Sequence, residues 1–573
     1  MAERIIMPKA GMAMETGTII KWLKEVGDKV EYGEPILEIE TDKTSMQVEA
    51  MNDGYILSKL YEAGAEVPVV TTIGYIGEKG ETPPAGDAPA PAAPKADSAQ
   101  EAAPAPAKSA PAKGGKEYDI VVLGGGPAGY IAAIKAARLG AKTAVVEKSA
   151  LGGTCLNRGC IPTKTYLKTA EIIHEAMEAK KRGVIFKDLS YTVNMKDVVA
   201  EKNGVVKKLV SGVTGLMKSN GIDVYQGEGR IQKDKTIVID GKERVSAEKV
   251  IFAGGSKVSR INIPGIDSPA VMTSDDILDL EELPGKLVVI GGGVVGVEMA
   301  SAFRAFGSEV TVLEMMDRIV PGMESELSNV LKQSLKAQGI DVRNSVNIEK
   351  IEQKGQKAYV YLKEGEPVEA DKILLSIGRV PDLSGIEGLD VAVDERGRVK
   401  VDDGMKTSLD WMWAPGDSNG RTMLAHAAFN MAEIAAENAM GGHEKYTGKY
   451  IPACIYTTPE LASVGLKEED AKKTHDVSIG KFFFAGNGRA LASGAGDGFI
   501  KVVTDSKTGE ILGVHIVGPC AAEMINEACA LMTMEITAYE VPTIVHAHPS
   551  FSEALMEAVA DSIGESMHLP KKR

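Results

Sequence analysis

Two cysteines separated by four residues stand in the run Gly152-Gly153-Thr154-Cys155-Leu156-Asn157-Arg158-Gly159-Cys160-Ile161-Pro162. Thiols at that spacing can close into a small disulfide ring and open again, which is two-electron chemistry. Far along the chain, His546-Ala547-His548-Pro549-Ser550-Phe551-Ser552-Glu553 offers imidazoles and a carboxylate. An imidazole titrates near neutral pH and is suited to take the proton that thiol chemistry releases. A cysteine pair alone is weak evidence, because a chance structural pair looks the same. The segment upstream decides in favour of redox chemistry, because a glycine-rich loop there opens a dinucleotide-binding unit.

That unit is the frame that must position the thiols. Asp119-Ile120-Val121-Val122-Leu123 reads as an apolar strand, Gly124-Gly125-Gly126-Pro127-Ala128-Gly129 as a turn into a helix over 130–137, and Thr143-Ala144-Val145-Val146-Glu147 as a second strand ending in an acid. Gly124 permits the tight turn, Gly126 lets backbone approach a pyrophosphate, and Gly129 lets the helix pack on the strand. The helix N-terminus stabilises the phosphates, and Glu147 can accept ribose hydroxyls. The pattern recurs as Leu287-Val288-Val289-Ile290, then Gly291, Gly293 and Gly296, then a helix and a strand ending at Glu314. Two such loops imply two nucleotide cofactors. Glu314 would hold an unphosphorylated ribose and repel a 2′-phosphate, so the second site should prefer NAD over NADP. The cysteine motif follows the first unit directly, so the first nucleotide reads as a flavin, with thiols on one side of its ring and nicotinamide on the other.

At 573 residues the chain is too long for one core. Its net charge of −15 argues against nucleic acid as a partner. No apolar run is long enough and free enough of charge for a transmembrane helix, and the N-terminus lacks a signal-peptide core. A cytoplasmic location is the expectation, where a cysteine pair is catalytic more readily than structural. Cys454, Cys520 and Cys529 are expected to be buried small hydrophobes. No metal site is expected, since the Cys155/Cys160 pair lacks two further ligands at finger-like spacing.

Residues 80–116 are dominated by Ala and Pro and read as an extended tether. At about 3.1 Å per residue it could span on the order of 100 Å. Ahead of it, residues 1–79 contain an internal repeat. Gly17-Thr18-Ile19-Ile20-Lys21-Trp22-Leu23 returns 37 positions later as Gly54-Tyr55-Ile56-Leu57-Ser58-Lys59-Leu60, and the same offset relates Gly27 to Gly64, Val30 to Val67 and Ile36 to Ile73. Two such halves suggest a quasi-symmetric β-sandwich or flattened barrel. Between them a polar Thr41-Asp42-Lys43-Thr44 step reads as a hairpin with Lys43 at its tip. The module resembles the lipoyl domains of 2-oxo acid dehydrogenase complexes, in which the hairpin lysine carries lipoate, and Lys43 matches that position. Biotin carrier domains share the fold but flank the lysine with Met, so Asp42 and Thr44 favour covalent lipoate.

From residue 117 the chain resembles the dihydrolipoamide dehydrogenases, most specifically through Gly-Gly-Thr-Cys-Leu-Asn-Arg-Gly-Cys-Ile-Pro-Thr-Lys at 152–164. The resemblance implies an α/β architecture of two Rossmann-like domains and a C-terminal α+β dimerisation domain, beside the all-β lipoyl-type domain. The boundaries expected are 117–264 for the FAD-binding domain, 265–384 for the NAD-binding domain, 385–448 for a segment completing the first, and 449–573 for dimerisation. Cys155 would be the outer thiol, exchanging with substrate, and Cys160 the inner one, beside the flavin. Lys164 would lie near the flavin paired with Glu298. Asp417 would bind the FAD chain, and the backbone at Ala427 would face the flavin. Local sequence leaves His546 and His548 level as the base; the family pattern selects His548, oriented by Glu553 and contributed to the partner subunit of a homodimer. His174, His426, His443, His475, His515 and His568 are left as solvated or structural.

The implied activity is oxidation of protein-bound dihydrolipoamide with reduction of NAD, as the E3 component beside E1 and E2 of a 2-oxo acid or acetoin dehydrogenase complex. A glutathione- or mercuric-reductase-type enzyme is the alternative, disfavoured by the acidic Glu314 and by the absence of cysteines near the C-terminus. A lipoyl carrier or docking role is compatible in addition. The chain departs from the family at Ala253-Gly254-Gly255, where Ala-Thr-Gly is usual, and at Ala427, where Lys is usual.

Overall fold

A computed structural model describes residues 3–8, 16–31, 34–40, 45–50, 52–69, 71–78, 81, 116–188 and 190–571. The chain divides into two compact units, Met1–Pro111 and Ala112–Arg573. Lys43 and residues 82–115 of the tether lie outside the described residues.

The first unit is all β. One sheet runs in the order Glu3–Ile6, Thr72–Gly77, Gly54–Lys59, Lys29–Val30, and the other Ser45–Glu49, Pro35–Glu40, Thr16–Trp22, Glu66–Pro68. The 37-residue repeat maps the long strands of the second sheet onto those of the first. Each half lends its short edge strand to the other's sheet, so neither half is a domain alone. Alternation along the strands sends repeat-related residues into one core, where Ile19 and Ile56, Val30 and Val67, Ile36 and Ile73, and Ile39 and Ile76 are all buried. Pro35–Glu40 and Ser45–Glu49 pair antiparallel with Glu40 opposite Ser45, the hairpin expected around residues 41–44.

The second unit opens on a sheet in the order Asp223–Gln226, Thr143–Glu147, Lys116–Leu123, Glu243–Phe252, Thr236–Ile239, Gly229–Ile231. Its first four strands are parallel and the last two return antiparallel. The strand at Lys116–Leu123 begins inside the stretch read as tether, because Lys116 already pairs with Val245. A second, five-stranded parallel sheet runs Val271–Thr273, Lys372–Leu375, Lys286–Ile290, Glu309–Leu313, Asp341–Arg343. Its strands read as continuous apolar runs because helices cover it. A third sheet, antiparallel, joins Ala453–Ile455, Glu460–Gly465, Ile511–Gly518, Phe499–Asp505 and Val477–Phe483. The helices Ala521–Thr533 and Glu553–Ser562 share one apolar core with it.

Two contacts tie these parts together. The helix Cys160–Glu178 lies against the helix Val294–Phe306 of the second dinucleotide unit. Tyr166 meets Phe303 and Phe306 at ring-centroid separations of 6.3 and 5.8 Å, and its hydroxyl donates to Leu278 O at 2.9 Å. The other contact is ionic. Lys501, on the C-terminal sheet and only 1% exposed, donates to Glu324 at 3.1 Å, Glu326 at 2.7 Å and Glu468 at 2.5 Å. These three carboxylates are close enough to hold a metal ion, but the Lys501 ammonium is already bonded to each of them. Burial alone would push the lysine toward neutrality, and the three carboxylates outweigh it and hold it charged. Hydrogen bonds from Lys472 and then Lys501 press Glu468 down to about 2.

Breaking a buried ionic cluster from one side is costly, on the order of 3 kcal/mol. Lys501→Met is therefore expected to lower the thermal midpoint of unfolding at pH 7 by about 5 °C or more. A carboxylate with a depressed folded pKa contributes stability above its unfolded value near 4.5 and loses it as pH falls. The deficit of the variant, in which the carboxylates lose their partner, should accordingly narrow below about pH 5, as calorimetry across pH would show.

Candidate active site

The two glycine loops are built alike, atom for atom. Gly124 and Gly291 take φ of +102° and +106°, a region open to glycine, and their N–H groups donate to Val146 O and Leu313 O of the neighbouring strands at 2.8 and 2.9 Å. A Cβ on Gly129 would collide with Gly124 O, and one on Gly296 with Gly291 O, so helix and loop meet at glycine contact distance. Glu147 Oε2 accepts the Gly125 N–H at 2.6 Å and its Oε1 the Ser149 N–H at 2.7 Å. Glu314 repeats this with Gly292 at 2.6 Å and Met316 at 2.7 Å. Each carboxylate is thus fixed by the backbone and keeps lone pairs for hydroxyls. At Gly293 a Cβ would meet nothing, and at Gly126 only Gly153 Cα at 3.7 Å, so the backbone at each helix start is open to a pyrophosphate. The residues fit two dinucleotides.

After each acid the chain folds back onto its loop, and here the copies diverge. In the second, Ile319 packs beside Gly292 and the Val320 N–H donates to Gly292 O at 2.8 Å. In the first, Leu151 packs beside Gly125 and the Gly152 N–H donates to Gly125 O at 2.8 Å. The residues that follow in the first copy are the cysteine motif. Gly152 and Gly153 take φ of +90° and +54°, and a Cβ on Gly153 would come within 2.5 Å of Gly126 Cα. Both glycines are needed to lay the motif directly on the loop, and sequence reading did not single them out. Asn157 clamps the turn by donating to Leu151 O at 3.0 Å and Gly153 O at 2.9 Å.

Cys155 sits in the short helix Gly153–Arg158, and Cys160 is the first residue of the 19-residue helix Cys160–Glu178. Both are thiols here, hydrogen-bonded to each other. Cys160 is lowered to about 7, first by the bond from Cys155 and then by the charge of Lys164, which together outweigh burial and a smaller opposing effect of Glu298. Its place at a helix N-terminus favours the thiolate as well. Cys155 is driven the other way by the same bond and by burial. Of the two sulfurs Cys160 is therefore the one that ionises first. Cys160 is also the more exposed of the two, Cys155 being half-buried.

Lys164 and Glu298, predicted as a pair, are brought together. Lys164 Nζ bonds Glu298 Oε1 at 3.0 Å and Oε2 at 2.9 Å. Glu298 is 3% exposed and accepts a further bond from the Tyr456 N–H at 2.9 Å. Asp417 accepts from Ser256 Oγ at 2.6 Å. Gly416, at φ +78°, leaves room there for Ala128 and Ala428, which puts Asp417 between the first glycine loop and the helix Ala425–Ala439. Ala427 is buried in the first turn of that helix, whose leading N–H groups have no partner within it. Arg379 binds the same corner, donating to Ser256 Oγ and O at 2.8 Å each and to Thr154 Oγ1 at 3.4 Å. Gly254, where the family pattern has Thr, has a local cause: a Cβ would strike the Phe252 ring and approach Asp382 O to 2.7 Å.

The two histidines of this loop differ in how their ring nitrogens are engaged. His546 has both ring nitrogens engaged, Nε2 with Glu527 at 2.7 Å and Nδ1 with Ile544 O at 3.0 Å. His548 is 80% exposed and bonds Glu553 Oε1 through Nδ1 at 2.8 Å, leaving Nε2 outward. Glu553 is pushed up by its surroundings, but the Ser550 N–H and His548 outweigh this and hold it below the usual carboxylate range. Asn487, also unforeseen, supports the loop by donating to Ser550 O at 2.9 Å. None of the bonds of His548 or Glu553 reaches the cysteine motif of its own chain. His515 is structural as expected, fully buried between Ser463 and Leu466 O. One expectation fails at Cys520, which is exposed where it starts the helix Ala521–Thr533, ahead of that helix's apolar face. Cys454 and Cys529 are half-buried.

Residues 118–432 match the family described as pyridine nucleotide-disulphide oxidoreductase, 451–559 the dimerisation domain of that family, and 3–76 the family described as biotin-requiring enzyme. A dihydrolipoyl dehydrogenase of Bacillus subtilis is 41% identical over 473 residues, covering 79% of this chain and 99% of the relative. One from Thermus scotoductus is 39% identical over 465 residues, covering 79% and 99%. Among solved structures, LpdA from Mycobacterium tuberculosis superposes with a TM-score of 0.72 at 26% identity, covering 78% of this chain and 99% of that one. An HOCl-induced flavoprotein disulfide reductase from Escherichia coli gives 0.71 at 29%, covering 77% and 99%.

The likeness of the two loops makes them separable by one methyl group each. Gly296→Ala should weaken NAD binding, measured by calorimetric titration, by at least about tenfold, because the new Cβ must part helix from loop. The first loop, untouched, should retain its nucleotide.

Proposed function

Given that the chain belongs to the pyridine nucleotide-disulphide oxidoreductases, and among them to the dihydrolipoyl dehydrogenases, we propose a division of labour among its residues. The activity is oxidation of dihydrolipoyl groups, with FAD and NAD as cofactors. The single observation that supports the assignment of residues best is the thiol pair laid on the first dinucleotide loop by Gly152 and Gly153.

Glu147, the Gly124–Gly129 loop, Asp417 and the helix start at Ala427 hold FAD, and Glu314 with the Gly291–Gly296 loop holds NAD. When bound, the two supply the electron-pair and hydride acceptors that no side chain here provides. In the oxidised pair, Cys155 receives the attack of a substrate thiolate. The Cys155–Cys160 bond breaks, a mixed disulfide forms at Cys155, and Cys160 leaves as thiolate. The second substrate thiol then displaces Cys155, so the substrate ends as a disulfide and the chain as a dithiol, with two electrons transferred. A leaving thiol titrating near 7 departs readily at neutral pH. Lys164 stabilises that thiolate.

His548 takes the substrate proton at Nε2, since Glu553 engages its Nδ1. The dyad serves the partner subunit of a homodimer, consistent with the dimerisation domain of residues 451–559. Lys43 carries lipoate, which makes the chain an E3 component that brings its own lipoyl arm to the E1 and E2 components of a 2-oxo acid or acetoin dehydrogenase complex. Among the described residues no helix is long and apolar enough to cross a membrane, and the proposed setting is the cytoplasm.

Purified protein given free dihydrolipoamide should form NADH with NAD and little NADPH with NADP. Cys155→Ser and Cys160→Ser should abolish this. His548→Gln should lower turnover by about 10²- to 10⁴-fold, and His546→Gln by less than about tenfold. NADPH-dependent disulfide reduction in place of NADH formation would move the chain to the reductase branch. Lys43→Ala should leave free dihydrolipoamide oxidation intact while turnover of the assembled complex falls.

A further inference from the structure

Tyr456 follows the strand Ala453–Ile455, whose pairing ends with Ile455 opposite Leu461. Nothing in that ladder requires Tyr456, itself partly exposed, to touch the Lys164–Glu298 pair, yet two of its groups do. Its N–H donates to Glu298 Oε1 at 2.9 Å, and its ring lies beneath Lys164 Nζ at 4.4 Å from the centroid. Lys164 spends bonds on both oxygens of Glu298, and the aromatic face covers the ammonium from another side. An ammonium over a ring face is attracted by the ring quadrupole, more strongly where water is excluded.

We propose that Tyr456 is a positioning residue for the thiol chemistry, its ring face and backbone N–H together holding the Lys164 ammonium where its charge acts on Cys160. The groups that bear electrostatically on Cys160 are Cys155, Lys164 and Glu298. The last two oppose each other. Their net effect therefore depends on where each is held, and Tyr456 touches both. The N–H draws on Glu298 Oε1 and weakens its claim on the lysine. The ring keeps water from one side of the ammonium, and water there would screen the charge. The residue comes from the C-terminal part of the chain, so the thiolate on the first dinucleotide loop depends on how that part is seated.

The inference rests on the reading of Cys160 as a redox thiol, and its test does not depend on turnover. The holoenzyme, reduced with a phosphine, is labelled with iodoacetamide across pH, and alkylation of Cys160 is followed by peptide mass spectrometry. The wild-type midpoint is expected near 7. Tyr456→Leu keeps the backbone N–H and removes the ring face. It should raise the midpoint by roughly half to one pH unit, so that labelling at pH 6 slows by about three- to tenfold. Tyr456→Phe keeps the face and should keep the wild-type midpoint. An unchanged midpoint in a Tyr456→Leu protein that retains its flavin would overturn the proposal. So would a Tyr456→Phe shift of the size expected for leucine, which can be read even if the leucine variant does not fold. Failure of the redox assignment would show separately, as activity surviving in Cys155→Ser or Cys160→Ser.

Discussion

The bond between Lys164 and Glu298 is the contact on which the arrangement turns. A glutamate 3% exposed is costly to bury as an anion unless its lone pairs are met. Glu298 meets that requirement only because three separate stretches converge: its own helix Val294–Phe306, Lys164 from the helix behind the cysteines, and the Tyr456 N–H from the C-terminal part. Tyr166, Phe303 and Phe306 pack the two helices in the register that brings Lys164 opposite Glu298. The buried charge then specifies the packing as much as the packing permits the charge. A helix rotated by one residue would leave an unpaired anion in the core.

From that contact the roles of the surrounding groups follow by charge and reach. A cation that has donated to a carboxylate still acts on the sulfur that begins its own helix, and that sulfur is the one held lower. At the surface the same economy separates the histidines: His546 has both nitrogens engaged and is held as a strut, and His548, bonded through Nδ1, is the one proposed as base. The Lys501 cluster shows the contrast. Its cation is buried more deeply than Lys164 and is bonded to three carboxylates, and it joins the C-terminal sheet to the Glu324–Glu326 stretch.

Much of this was legible in the sequence where chemistry is local. The glycine loops, their acids and the cysteine spacing each encode their geometry within a few residues, and the repeat at 17–23 and 54–60 encoded a quasi-symmetric β module, though not the exchange of edge strands between its halves. The pairing of His548 with Glu553 was legible only through the family pattern, since local sequence left His546 level with it. Tyr456, Arg379, Ser256 and Asn487 were not, because each acts across an interval of more than sixty positions that nothing in its own neighbourhood announces. Gly254 was visible as a departure but not explicable until the Phe252 ring was seen to occupy the space a larger residue would need. Cys520 was misjudged because composition predicts burial for cysteine, whereas a residue at a helix start need not face the core.

The brace that closes each glycine loop, Gly152 to Gly125 in one copy and Val320 to Gly292 in the other, carries a consequence for how such a molecule can change. In the second copy the brace is only a fold-back, followed by Pro321 and Gly322. In the first, the same hydrogen bond is followed by the reactive sulfurs. The proposed redox pair thus hangs from a joint that the other copy has without it. Whatever keeps the nucleotide loop shut also fixes where the two sulfurs sit, so a change that loosens one loosens the other. The second copy, which has the joint and lacks the sulfurs, shows how short a segment distinguishes a nucleotide shelf from one that also carries a thiol pair.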